Sequence, residues 1–155
     1  MFKTTATERS FHPIKAFIQS EVWDGKERID TVVIRYLKGK DDLLTRAQTR
    51  KWMIAAVARI FEPGCKFDHV LTLSGPEGAG KSTFFKILAN GEWFTDSFSF
   101  KHDDKTKVEE ITGHWIVELS ELSGMDSKQD PQLIKAFLSR EKDCLLYTSD
   151  AADDL

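Results

Sequence analysis

Cysteine is nearly absent: two residues in 155, Cys65 and Cys144, cannot build a disulfide framework. No Cys/His spacing of the zinc type occurs either, and Cys65 reads as a small buried apolar residue rather than a reactive thiol. Long hydrophobic runs are missing too. Stretches such as Met53–Val57 fall far short of the ~20 residues that span a bilayer, which excludes a membrane-spanning helix. The first residues, MFKTTATERSF, lack the apolar core of a secretory signal, so the expected location is cytoplasmic. Nor is there a basic excess. Lys and Arg total 22 against 25 Asp and Glu, a net charge of −3, so no bulk positive charge advertises nucleic-acid binding, although a local basic face can coexist with that total. Hydrophobic residues at 41% and charged residues at 30% then set the class: a globular chain with one core, or one core and a small appendage.

Three zones follow along the chain. Residues 1–65 read as a helical N-terminal region. His12-Pro13 opens a helix to Ser20 with Ile14, Phe17 and Ile18 on one face. Trp23-Asp24-Gly25 is a turn, and Glu27–Leu37 fits a second helix with Ile29, Val32, Val33, Tyr36 and Leu37 inward. Leu43–Phe61 is the longest helix, with Ala47, Trp52, Ala55, Ala56 and Ile60 on its apolar side and Pro63-Gly64 as its stop. Residues 66–143 read as a partial core of α/β type, a parallel sheet flanked by helices. Its strand candidates are 68–73, Trp93–Phe98 and Trp115–Leu119, with a helix at Lys81–Leu88. Lys101–Lys107 reads as a charged loop leading to a helical turn at Val108–Ile111. Asp130-Pro131 caps a last helix bearing Leu133, Ile134, Phe137 and Leu138. Residues 144–155, CLLYTSDAADDL, have no helix or strand pattern. They resemble the translation of a DNA-sequencing library adapter and are expected to be a non-native tail; the alternative is an ordinary strand with a polar end.

The chemistry concentrates at Gly75-Pro76-Glu77-Gly78-Ala79-Gly80-Lys81-Ser82, which satisfies the P-loop pattern G-x-x-x-x-G-K-[ST]. Gly75 and Gly80 permit backbone angles that a side chain would oppose, letting the chain wrap a polyphosphate. Successive N–H groups and the following helix N-terminus favour anions. Lys81 reaches the β- and γ-phosphates, Ser82 offers its hydroxyl to Mg²⁺, and Thr83 lies toward the α-phosphate. A strand before and a helix after are the confirming context, and both are expected here. The implied ligand is ATP or a related nucleotide with Mg²⁺.

A second, acidic element is needed to hold the cation and orient water. The apolar run Trp115-Ile116-Val117 ending in Glu118 supplies one, with Glu121 three residues on. Glu118 is assigned to the Mg²⁺ shell and Glu121 to water activation; the alternative for each is a solvated carboxylate. Arg140 and Lys135, on the last helix, and the 101–107 segment read first as solvated charge and only second as nucleotide or DNA contacts. Trp23, Trp52, Trp93 and Trp115 read as core or core-edge residues rather than base-stacking platforms.

Taken together, HPIKAFIQSEVWDGKERIDT, RIFEPGCKFDHVLTLSGPEGAGKST, EWFTDSFSF, GHWIVELSEL and LIKAFLSREKD resemble the virulence-associated protein E family over residues 11–143. That resemblance implies a P-loop ATPase of phages and genomic islands, related to superfamily 3 helicases of DNA replication. It makes Gly75, Gly80, Lys81 and Ser82 the Walker A residues and puts Glu118 and Glu121 on the Walker B segment. The usual adjacent Asp-Glu is not found there. It also implies DNA as a partner, a ring-shaped homo-oligomer, and a C-terminal sensor and arginine finger that are missing here, so the fragment is expected to hydrolyse ATP weakly. A nucleotide-dependent switch and a small-molecule kinase are the competing functions; no substrate lid or phosphoacceptor pocket is identifiable for the kinase.

Overall fold

The computed structural model describes residues 12–67 and 69–119. Helix α1, Pro13–Ser20, starts where the sequence places it: His12 Nδ1 accepts the Lys15 N–H at 3.3 Å and proline occupies the first turn, where no N–H is required. Ile14 is buried, and the Lys15 ammonium lies 5.1 Å from the centre of the Phe61 ring.

Helix α2 is shorter than expected, Val32–Leu37 rather than 27–37. Asp24 explains the loss. Its Oδ1 accepts the Lys26 N–H at 3.1 Å, and its two oxygens take the Arg28 guanidinium at 2.7 and 2.6 Å. The Thr31 N–H then closes a turn on Arg28 O at 3.0 Å, so local side-chain bonds displace the first helical turns. Val33 is buried as expected, whereas Tyr36 is 64% exposed rather than inward. Lys38 ends the helix in the left-handed region (φ 54), and the Gly39 N–H reaches back to Val33 O.

Helix α3, Leu43–Phe61, has the bounds read from the sequence. Asp42 Oδ1 accepts the Thr45 N–H at 2.8 Å at its start, and Gly64 follows its end at φ 83. Its inner face differs in one respect: Ala47 is exposed, and Thr49 is buried to 1% exposure. Thr49 tolerates burial because its hydroxyl donates to Thr45 O at 2.8 Å. Arg50 grips Asp30 with two bonds, at 2.6 and 2.5 Å, and so ties the preceding loop to α3.

Helix α4 spans Lys81–Leu88, strand β1 Phe94–Thr95, helix α5 Asp104–Ile111 and strand β2 Ile116–Val117. The strands pair in parallel, Phe94 opposite Ile116 and Thr95 opposite Val117, with α5 as the crossover. The described residues are thus mixed helix with a small parallel sheet, the coarse α/β arrangement expected. Two local expectations need correcting. Residues 69–73 form no ladder with any described residue, so the strand expected over 68–73 is not seen there. The 101–107 segment is helical from Asp104, because Asp103 Oδ1 accepts the Thr106 N–H at 2.7 Å and caps the helix.

Aromatic contacts join the helical region to the strands. The Trp52 and Phe85 rings lie 5.2 Å apart, Phe17 and Trp93 5.1 Å, and Trp115 Nε1 donates to Ala56 O at 2.8 Å. Ala55, Ala89, Phe98 and Ile116 are buried near these junctions. Trp23 is the exception among the tryptophans: it is 73% exposed, its indole N–H bonded to Lys26 O at 3.2 Å. Among the described residues, no helix is long and apolar enough to cross a membrane.

Candidate functional site

The glycine-rich turn leads directly into α4. Gly78 and Gly80 adopt φ 75 and φ 78, angles that a side chain would strain. Gly75 does not; of the two glycines singled out from the motif, only Gly80 requires left-handed backbone, and Gly78 is the second such position. Open space surrounds the Cβ position of all three, so the loop presents its backbone without obstruction. Gly80 offers no capping side chain to α4, and the first bond back into the helix is Phe84 N–H to Gly80 O at 2.9 Å. The N–H groups of Lys81, Ser82 and Thr83 therefore precede the helical ladder, the arrangement that attracts anions.

Lys81 folds back over the loop. Its ammonium donates to Gly75 O at 2.9 Å and Pro76 O at 2.8 Å, bracing the turn across the concavity. Pro76, Glu77, Gly78, Ala79 and Thr83 are exposed.

The contact that joins the two motifs is between Ser82 and Glu118. Ser82 Oγ donates to Glu118 Oε1 at 2.7 Å, across 36 positions of sequence. The backbone holds Glu118 there: its N–H donates to Thr95 O at 2.8 Å, continuing the parallel ladder one step beyond β2. Thr95 is buried and went unnoticed in the sequence, where only the pattern of a short strand marked it. The second carboxylate oxygen, Glu118 Oε2, is buried with no hydrogen-bond partner. A buried acceptor of that kind calls for a donor or a cation. A hydroxyl and a carboxylate are the hard oxygen donors that Mg²⁺ takes, with one or two carboxylates and a ligand's phosphates completing its shell. Among the described residues no cluster of three or more His, Cys, Asp or Glu forms an all-protein cage.

The remaining candidates separate from this centre. Glu121, Lys135 and Arg140 lie outside the described residues. In the 101–107 segment the charges are internally compensated: Lys107 pairs with Asp104 at 3.3 Å, Lys105 with Glu109 at 3.9 Å, and His102 Nδ1 with Glu110 at 2.8 Å. That segment presents mixed rather than positive charge.

Comparison with known proteins agrees with the sequence motifs. The profile of the virulence-associated protein E-like domain matches residues 18–148. No curated protein matches the chain. The match spans the P-loop, both strands and Glu118, and it covers most of the sequence. The chain belongs to the virulence-associated protein E-like domain family.

Proposed function

We propose that this chain binds ATP with Mg²⁺ at residues 75–83. We further propose that in its full-length protein it forms the P-loop ATPase core of a phage or mobile-element replication protein, helicase-like, coupling hydrolysis to action on DNA. Membership of the virulence-associated protein E-like family is consistent with a mobile-element origin. The observation that carries the reading is the 2.7 Å bond between Ser82 Oγ and Glu118 Oε1, with Glu118 Oε2 left buried and unpartnered. A glycine-rich turn alone would not require a carboxylate at the serine that follows its lysine.

In this reading the backbone N–H groups at the start of α4 receive the phosphates, and Gly78 and Gly80 keep side chains out of their path. Lys81 exchanges its bonds to the Gly75 and Pro76 carbonyls for phosphate oxygens, a stronger charge-assisted pairing. Ser82 and Glu118 would hold Mg²⁺, which supplies positive charge against the β- and γ-phosphate oxygens. Glu118, carried on β2, ties any change at the phosphates to the sheet. Glu121 serves as the water-activating base, and a neighbouring subunit of a homo-oligomeric ring would complete the site with its arginine.

ATP hydrolysis measured with and without single- and double-stranded DNA tests the replication reading. Stimulation by DNA is the expected outcome. Hydrolysis indifferent to both forms of DNA would contradict the helicase-like part and leave nucleotide binding to be judged separately.

A further inference from the structure

We propose that Asp96 is a second carboxylate of the divalent-cation site, acting beside Glu118 through the cation's water ligands. This rests on the nucleotide-binding reading above and extends it to a residue that neither the P-loop motif nor the acidic segment contains.

The argument is one of register. Phe94 stands opposite Ile116 and Thr95 opposite Val117, and the Glu118 N–H to Thr95 O bond at 2.8 Å carries the parallel pattern one step further. The next pair in that register is Asp96 and Glu118. Adjacent strands lie roughly 4.8 Å apart, so the two acidic residues sit side by side at the C-terminal edge of the sheet. Ligands of open parallel sheets bind beyond that edge. The P-loop helix reaches the same place, since Ser82 bonds Glu118, and α4 leads through a short turn into β1.

Two neighbouring carboxylates repel unless positive charge lies between or beside them. Independently, the buried and unpartnered Glu118 Oε2 marks a missing electropositive group at this spot. Mg²⁺ retains several waters and is bound through one or two carboxylates plus phosphates, and an exposed aspartate at this edge suits a water-mediated role. Thr95 and Ser97 set the backbone around Asp96: the Ser97 N–H donates to Thr95 Oγ1 at 3.3 Å, and the two hydroxyls lie 2.8 Å apart.

The test is the Mg²⁺ dependence of ATP binding to the whole chain, read by calorimetry at a series of Mg²⁺ concentrations and again in EDTA. Asp96→Asn is expected to raise the Mg²⁺ concentration at half-maximal binding by about tenfold, the effect of losing an outer partner of a bound metal, while affinity in EDTA stays at the wild-type value. Asp96→Glu should recover part of the shift. Glu92→Gln, which removes a charge in the turn before β1, should leave the midpoint in place. An Asp96→Asn midpoint within twofold of wild type, with ATP binding retained, overturns the inference alone. An equal shift in Glu92→Gln overturns it too, because bulk charge would then be the cause. Equal weakening of Asp96→Asn in EDTA and in Mg²⁺ would assign Asp96 to folding instead. Failure of the wild-type chain to bind ATP at any Mg²⁺ concentration would overturn the nucleotide reading and this inference together.

Discussion

Lys81 has two tasks at the scale of single residues, and they act at different moments. Bonded to the Gly75 and Pro76 carbonyls it braces the turn; released, it meets a phosphate. Lys81→Ala removes both the brace and a charge-assisted bond of roughly 1.5–3 kcal/mol, so ATP affinity should fall by at least about tenfold, as a direct titration would show. Glu118→Gln should behave differently. It keeps an acceptor for Ser82 but loses the negative charge offered to the cation, so it should spare binding in EDTA, weaken the Mg²⁺-dependent part, and reduce turnover more than affinity. Wild-type hydrolysis in Glu118→Gln would transfer the role elsewhere. The motif named the loop residues and Glu118 without any structure, because each type follows from the chemistry of phosphates. What the motif could not supply is distance. Nothing in the string of letters places Ser82 at 2.7 Å from Glu118, or Asp96 in register with it, since both depend on how β1 and β2 pair.

At the scale of elements, capping side chains decided where sequence reading succeeded. Helix α3 was legible to the residue because Asp42 opens it and Pro63-Gly64 closes it. Asp42→Ala should therefore cost about 1 kcal/mol in urea unfolding, through the lost bond to the Thr45 N–H. Helix α5 was read four residues short. Its residues are mostly charged, so periodicity gave little signal, and the Asp103-to-Thr106 cap was the cue that went unused. In α2 the error ran the other way: apolar spacing promised turns that the Asp24–Arg28 pair replaces with a loop. The alternation through Val70, Leu71, Thr72 and Leu73 looked like a strand, but a strand is defined by its neighbour, and no described residue pairs with it. Between elements, the indole of Trp115 anchors the acidic strand to α3 through Ala56 O. Trp115→Phe keeps most of the ring contact and loses that bond, so it should cost about 1 kcal/mol of stability.

For the whole molecule, acid sensitivity is written into exposed aspartates. Arg28 holds the Asp24 carboxyl down to about 2, Arg50 lowers Asp30, Arg46 lowers Asp41, and the helix-capping bonds lower Asp42 and Asp103. Each is depressed in the folded state, so protonation favours the unfolded chain. Their contribution is complete above about pH 4 and is lost as the pH falls toward 2. Because the pairs are exposed, added salt should shrink that loss, which thermal unfolding at pH 7 and pH 3 in low and high salt would reveal.

The central claim is that the glycine-rich turn and Glu118 form one Mg²⁺–ATP site. The most direct measurement is calorimetric titration of ATP into the wild-type chain and into Lys81→Ala, each with Mg²⁺ and with EDTA. The account predicts saturable binding to the wild type that tightens with Mg²⁺ and drops at least about tenfold in Lys81→Ala. Equal affinity in the two proteins, or wild-type binding indifferent to Mg²⁺, would contradict it.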